Sequence, residues 1–162
     1  MNAPEKITSK IFSFNDLLKR IEFWRRMGDK IVFTNGCFDI LHQGHIHLLS
    51  SCSDLGDRLI VGLNSDASVK RLKGVTRPIN DENSRAILLS AIEFVDAIIV
   101  FNEDTPENVI HSIKPGVLVK GGGWKKEEIV GSAFVASYRG EVKTVPYLKG
   151  FSTTGIISKS KK

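Results

Sequence analysis

The chain has 162 residues, 41% hydrophobic and 25% charged, a composition that suits one globular domain and excludes a largely disordered or fibrous chain. Its two cysteines, Cys37 and Cys52, form neither a disulfide framework nor a CxxC pair, which points to a reducing, cytoplasmic compartment. The net charge of +5 favours anionic ligands, while 8% aromatic content and the lack of any reader motif argue against nucleic acid. In chain order, Met1–Lys10 lacks the apolar stretch of a signal peptide, and residues 1–12 read as frayed. Ser13 starts a helix whose stripe of Phe14, Leu17, Leu18, Ile21 and Trp24 has helical spacing, and Gly28 stops it. Ile31–Thr34 is a buried strand punctuated by Gly36, and a helix follows from about Gly44 to Asp54. Arg58–Leu63 is a second strand, and Asp66 caps a helix through Leu72. Pro78 breaks the chain. Asp81 caps the next helix, with Ile87, Leu88, Ala91 and Val95 expected on its apolar side.

Ala97–Phe101 is a third strand, far short of the ~18 residues of a membrane span. Thr105-Pro106-Glu107 reads as a hydroxyl cap, a proline at the first helical position and an acid in the first turn. Val117–Lys120 and Glu141–Val145 are the fourth and fifth strands, and Ser152 or Thr153 caps a last helix. Lys159, Lys161 and Lys162 form a basic tail. Strands alternating with helices imply a Rossmann-like, doubly wound α/β fold: a mostly parallel five-stranded sheet with helices on both faces, plus an N-terminal helix. Ligands of such folds sit beyond the carboxyl ends of the strands.

Four segments carry candidate chemistry. In Thr34-Asn35-Gly36-Cys37-Phe38-Asp39-Ile40-Leu41-His42-Gln43-Gly44-His45, glycines allow close backbone approach and two histidines stand three apart at a helix start. Free N–H groups there favour a phosphate, and imidazoles can donate to its developing charge. The competing reading is a metal site built from His42, His45 and Cys37 or His47, but no second ligand cluster accompanies them. Lys120-Gly121-Gly122-Gly123-Trp124 offers a charge and an open backbone to a nucleotide, or is simply a loop. Gly150-Phe151-Ser152-Thr153-Thr154 is an anion cradle or an ordinary cap. Lys70 to Arg77, with Lys73, and then Arg85 could clamp phosphates or form a solvated face. The P-loop pattern is absent, and the three glycines do not continue as GxGxxG.

His42-Gln43-Gly44-His45 together with Ser152-Thr153-Thr154 resembles the paired motifs of the HxGH nucleotidyltransferase superfamily over Ile31–Ile157. Within it, FTNGCFDILHQGHI, VGLNSDASVKRLKG, TRPIN, FNEDTPENVI, VLVKGG and GFSTTGII most resemble the D-glycero-β-D-manno-heptose 1-phosphate adenylyltransferase domain of ADP-heptose synthesis. The resemblance implies an N-terminal extension over 1–29 and a nucleotidyltransferase domain over 30–162. It implies AMP transfer from ATP to a sugar 1-phosphate, with Mg²⁺ accompanying the triphosphate. His42, His45 and Lys73 would then be catalytic. Thr34, Asn35, Gly36, Cys37, Phe38, Lys120, Gly121, Gly122, Ser152, Thr153 and Thr154 would bind the nucleotide. Asn64, Asp66 and Arg85 would meet the sugar phosphate, and Asp39 would order the first loop. No metal-ligating protein residue is expected. A sugar kinase is expected as a separate chain, and a homodimer is possible because relatives often dimerise.

Three positions depart from family patterns. Gly123 stands where the heptose family has an aspartate. Glu93-Phe94-Val95-Asp96 and Tyr147 replace arginine-bearing positions of the glycerol-3-phosphate cytidylyltransferases. The alternatives are a cytidylyltransferase for a polyol or aminoalcohol phosphate, and a nucleotide-binding module without strong catalysis.

Overall fold

Five short runs pair into one sheet: β1 (Ile31–Gly36), β2 (Arg58–Asn64), β3 (Ala97–Phe101), β4 (Val117–Gly121) and β5 (Glu141–Val145). Their order is β3-β2-β1-β4-β5, and every pairing is parallel. The computed structural model describes residues 1–160, so Lys161 and Lys162 of the expected basic tail lie outside the described residues. The helices are α1 (Ala3–Thr8), α2 (Phe14–Arg26), α3 (Gln43–Ser53), α4 (Asp66–Lys73), α5 (Glu82–Ser90), α6 (Glu107–Ile113), α7 (Ser132–Ser137) and α8 (Thr153–Ser160). A 3-10 turn over Lys126–Glu128 and α7 are additions to the sequence-based elements.

Both faces of the sheet are covered over β1–β4, whose strands are near-continuous apolar runs, while the edge strand β5 mixes polar and apolar residues and is mostly only partly buried. Phe33, Ile60, Ile99 and Leu118 pack with Leu17, Ile21 and Trp24 of α2, with Ile110 and Ile113 of α6, and with Val135 of α7. Val32, Val61, Ile98 and Val119 pack on the other side with Leu49 and Cys52 of α3 and with Ala86 and Leu89 of α5. The N-terminal helix α2 is therefore part of the main core. Ser13 caps it by accepting from the Asp16 N–H. Arg25 at its other end donates to the carbonyls of Ile113 and Lys114 where α6 stops.

Residues 1–12 are ordered, against expectation. Asn2 and Glu5 close a capping box on α1. The Phe12 N–H then donates to Ile98 O at 3.0 Å, and the Ile98 N–H donates to Lys10 O at 2.8 Å. The arm covers the middle of edge strand β3, whose backbone would otherwise offer unpaired groups. The apolar side expected for α5 is also corrected. Ile87 and Leu88 are each 46% exposed, while Arg85, Ala86, Leu89 and Ser90 face inward. The inward reach of Arg85 sets the helix phase and carries its neighbours at i+4 and i+5 with it; Val95, beyond the helix, is buried as expected. Two caps shift. Ser65, not Asp66, caps α4 by accepting from the Ser68 N–H. Pro106 itself holds the cap position of α6, at φ −80 and ψ 14, so Thr105 makes no capping bond.

Leu17 is fully buried beneath the sheet, so Leu17→Ala should cost about 2–5 kcal/mol in urea unfolding. Phe23→Ala, at a side chain 54% exposed on the same helix, should change stability by no more than about 0.5 kcal/mol.

Candidate active site

The order of the strands reverses between β1 and β4, and the crevice beyond their carboxyl ends is where such sheets bind ligands. The segment after β1 is held from two sides. Asp39, only 2% exposed, accepts from Arg77 Nε at 2.6 Å and from the N–H groups of Ile79 and Asn80 at 2.8–2.9 Å. Burial alone would raise its carboxyl pKa, but these donors outweigh it and hold the group below the ordinary aspartate value. Asn80 Nδ2 returns a bond to Asp39 O at 2.8 Å. From below, Arg85 donates to Cys37 O at 2.6 Å, Asn64 O at 2.8 Å, Asn80 O at 3.0 Å and Asp66 Oδ1 at 2.8 Å. Between these clamps Phe38 adopts φ 45, a conformation that costs a non-glycine residue about 1–2 kcal/mol.

His42 caps α3: its Nδ1 accepts from the Gly44 N–H at 3.1 Å, which leaves the proton of the neutral ring on Nε2. The His45 ring stacks on it with centroids 3.8 Å apart, and Phe38 flanks His45 at 5.2 Å. Among the described residues, His45 Nδ1 is buried without a hydrogen-bond partner. Burial, reinforced by His42, pushes the His45 pKa down to about 4; burial also lowers that of His42. Both rings are thus neutral at pH 7. A Cβ on Gly44 would lie 2.9 Å from His42 Cε1 and 3.3 Å from Phe151 Cβ, so glycine is what lets the two motifs approach each other. Just past Phe151, Ser152 Oγ accepts from the Gly155 N–H at 3.0 Å at the start of α8.

Cys37 reports on the charge around it. Burial raises its pKa, and Lys73, Arg85, Arg77 and Lys120 all act on it in the opposite direction. Those four cations come from three separate stretches of chain and gather at the end of β1. Burial lowers the Lys120 ammonium pKa, with Lys73 adding to the effect against Cys37. The loop after β4 is anchored by the Gly122 N–H donating to Val145 O at 2.8 Å. A Cβ on Gly123 would meet nothing within 4 Å, so packing does not demand glycine where the heptose family has aspartate.

The structure brings His42, His45, Lys73, Lys120 and the Phe151–Thr154 segment to this edge of the sheet, and it withdraws others. Thr34 is fully buried mid-sheet, its backbone in register with both Val61 and Val119, and cannot face a nucleotide. Phe38 and Asn64 are buried as well, and Asn64 Nδ2 is spent on Ser68 Oγ at 3.0 Å. Arg85 has no exposure at all, so direct contact with a sugar phosphate is replaced by a role in holding the loops. Asp66 keeps partial exposure but is paired with Arg85. Among the described residues no three His, Cys, Asp or Glu side chains gather to hold a metal ion. Sequence reasoning missed Asn80 and the backbone N–H of Ile79 as partners of Asp39, and local spacing carries no signal for them.

A family model described as Cytidylyltransferase-like matches residues 33–159. The chain is 51% identical over 158 residues to "Bifunctional protein HldE" of Nitrobacter hamburgensis, and 52% identical over 159 residues to the protein of that name from Rhodopseudomonas palustris strain BisB5. Each alignment covers 98% of this chain and 32% of the relative, so the chain spans about a third of the length of these curated relatives. Among solved structures, a lipopolysaccharide core biosynthesis protein from Thermoplasma volcanium GSS1 is 34% identical with a TM-score of 0.62, over 76% of this chain and 100% of that one. Pantoate-beta-alanine ligase from Francisella tularensis shares the fold, with a TM-score of 0.57 at 16% identity over 93% of this chain and 76% of that one.

The half-buried His45 generates a pH dependence of stability. With its folded pKa lowered to about 4, His45 takes its proton first in the unfolded chain. Stability falls as pH drops below the unfolded value of 6.5 and the His45 contribution levels off near about 4, a loss of about 2–3 kcal/mol. His45→Asn should remove that part of the slope in urea unfolding between about pH 7.5 and about pH 4.5. An unchanged slope would mean that the imidazole titrates normally in the folded chain.

Proposed function

The chain belongs to the cytidylyltransferase-like family, and on that footing we propose that it transfers AMP from ATP to a sugar 1-phosphate, D-glycero-β-D-manno-heptose 1-phosphate, releasing pyrophosphate. The observation that carries this reading is the meeting of the stacked His42–His45 pair with the Phe151–Thr154 segment across Gly44. The heptose rests on the motif resemblance. Similarity to a lipopolysaccharide core biosynthesis protein supports a place in making surface-glycan precursors.

In this reaction an oxygen of the sugar phosphate attacks the α-phosphorus of ATP. The bond from that phosphorus to the bridging oxygen of the β-phosphate breaks, and pyrophosphate carries the electron pair away. The nucleophile is already anionic, so no general base is required. The work is alignment and balancing of charge. His42 donates from Nε2 and His45 stands beside it, both aimed at the triphosphate. Lys73 and Lys120 supply positive charge. Ser152, Thr153 and Thr154 hold the outer phosphates with their hydroxyls and the N–H groups opening α8. Asn35–Cys37 and Gly121, which keep partial exposure, line the nucleoside, and Asp66 borders the sugar phosphate.

Imidazoles, ammonium groups and hydroxyls make a donor set for phosphate, not for a bare Mg²⁺, which takes carboxylate, phosphate and water oxygens. The first-loop carboxylate, Asp39, is already engaged by Arg77 and backbone N–H groups. Mg²⁺ therefore enters as part of the MgATP substrate, held by phosphate oxygens and water. A neutral, half-buried histidine pair suits this role, since an arriving polyanion offsets the desolvation that otherwise keeps the rings unprotonated.

The test is pyrophosphate release with MgATP or MgCTP and a panel including the heptose 1-phosphate and glycerol 3-phosphate. Release is expected with ATP and the heptose phosphate. Release only with CTP and a polyol phosphate would overturn the substrate assignment. His45→Ala should lower turnover more than ~100-fold with an unchanged circular dichroism spectrum. Lys73→Ala should lose rate while keeping its unfolding midpoint, because the side chain is exposed.

A further inference from the structure

Three aromatic side chains stand in solvent around the second half of the site: Trp124 at 48% exposure, Tyr147 at 73% and Phe151 at 40%. Phe151 is accounted for by its approach to Gly44. Trp124 follows Gly123, around whose Cα there is open space. Tyr147 differs from both. It follows β5, and its ring lies against the backbone of Gly122: a Cβ there would fall 2.7 Å from Cε2 and Cζ and 2.8 Å from the hydroxyl oxygen.

Gly122 is buried, holds φ 109 and is tied by its N–H to Val145 O. The ring thus rests on a fixed strip of glycine backbone with most of its surface open. Among the described residues its hydroxyl has no hydrogen-bond partner. A large aromatic that is positioned yet left in water gains little from its own burial, and it offers a flat open face next to the exposed Gly123 position. Downstream, Gly150 at φ 88 and the Phe151 N–H to Leu148 O contact turn the chain directly into the Ser152–Thr154 hydroxyl run. One short segment therefore presents an aromatic face and then a set of phosphate ligands.

We propose that Tyr147 is the nucleobase platform of this site, with adenine stacking on its open face beside the Gly121–Gly123 backbone. The proposal rests on the nucleotidyl-transfer reading and assigns a residue that selects the base. A purine presents more π-surface to the ring than a pyrimidine, so the platform favours ATP over CTP by area.

Equilibrium binding of ATP and CTP, together with steady-state rates, would be measured for the wild type, Tyr147→Ala, Tyr147→Phe and Tyr147→Trp. Tyr147→Ala should raise the Kd and KM for ATP about ten- to a hundredfold and raise those for CTP less, narrowing the preference. The loss should fall on KM rather than kcat. Tyr147→Phe and Tyr147→Trp should restore ATP binding, because a ring and not a hydroxyl is required. The unfolding midpoint should hold in all three, since the side chain is mostly solvated. If wild type binds and turns over ATP while Tyr147→Ala binds it equally well, the platform assignment is wrong and the transfer reading stands. Equal losses in the alanine and phenylalanine variants would overturn stacking in favour of the hydroxyl. If the wild type neither binds nor turns over ATP, both readings fail together.

Discussion

Arg85 lies under the site with no solvent exposure and donates to the carbonyl oxygens of Cys37, Asn64 and Asn80 and to the Asp66 carboxylate. Where parallel strands end side by side, the departing backbone leaves carbonyls that the ladder no longer serves, and buried ones must find donors. A guanidinium suits this, because its planar fork can reach several acceptors at once. Breaking such a buried charged network by removing one partner typically costs about 3–5 kcal/mol. The consequences spread outward. Turning Arg85 inward sets the phase of α5 and sends Ile87 and Leu88 to solvent. It brings Asn80 close, and there Asp39 collects the N–H groups that hold the first loop. The histidine motif begins three residues beyond that aspartate.

The electrostatics of the site follow from this scaffold. Lys73, Arg77, Arg85 and Lys120 converge near Cys37, yet Asp39 and Asp66 are committed to the arginines. The two lysines are left as the charges available to a ligand. The imidazoles beside them are neutral because burial, and for His45 the neighbouring His42, disfavours protonation. Such a site is a poor place for a cation and a favourable one for a polyphosphate, whose arrival satisfies ammonium, imidazole and backbone donors together. For the proposed transfer, preorganisation is the useful product: these donors would stand in place before a substrate arrived.

The N-terminal elements serve the same end by a different route. Leu17, Ile21 and Trp24 fill one face of the sheet under β1 and β3, and residues 10–12 cover the outer edge of β3. Lys10 reaches further, donating to Ile92 O at 2.9 Å just past the end of α5. The helix that carries Arg85 is thereby braced at its far end by a segment that shows no periodic pattern of its own.

Much of the architecture was legible in the amino-acid order, because its signals are local. Strand runs of four to six residues, caps at Ser13 and Asp81, and stops at glycine and proline depend on neighbours a turn away, and the five strands lie where those signals put them. The chemistry-bearing segments were legible for the same reason: glycines, histidines and hydroxyls cluster at the ends of strands and the starts of helices. Which of those residues face a ligand and which hold the scaffold was decided only in three dimensions. Arg85 and Thr34 have the right chemistry for a phosphate site and are buried. Asp39 meets Arg77 across 38 positions, and Arg85 meets Cys37 across 48. Tyr147 showed in the sequence only as a departure from an arginine-bearing pattern, and it lies on Gly122 because β4 and β5 are neighbours. Local patterns specify elements, since helix and strand periods are short-range. Burial, partnership and protonation of a side chain depend on what the folded sheet sets beside it, and at this site those neighbours are tens of residues away.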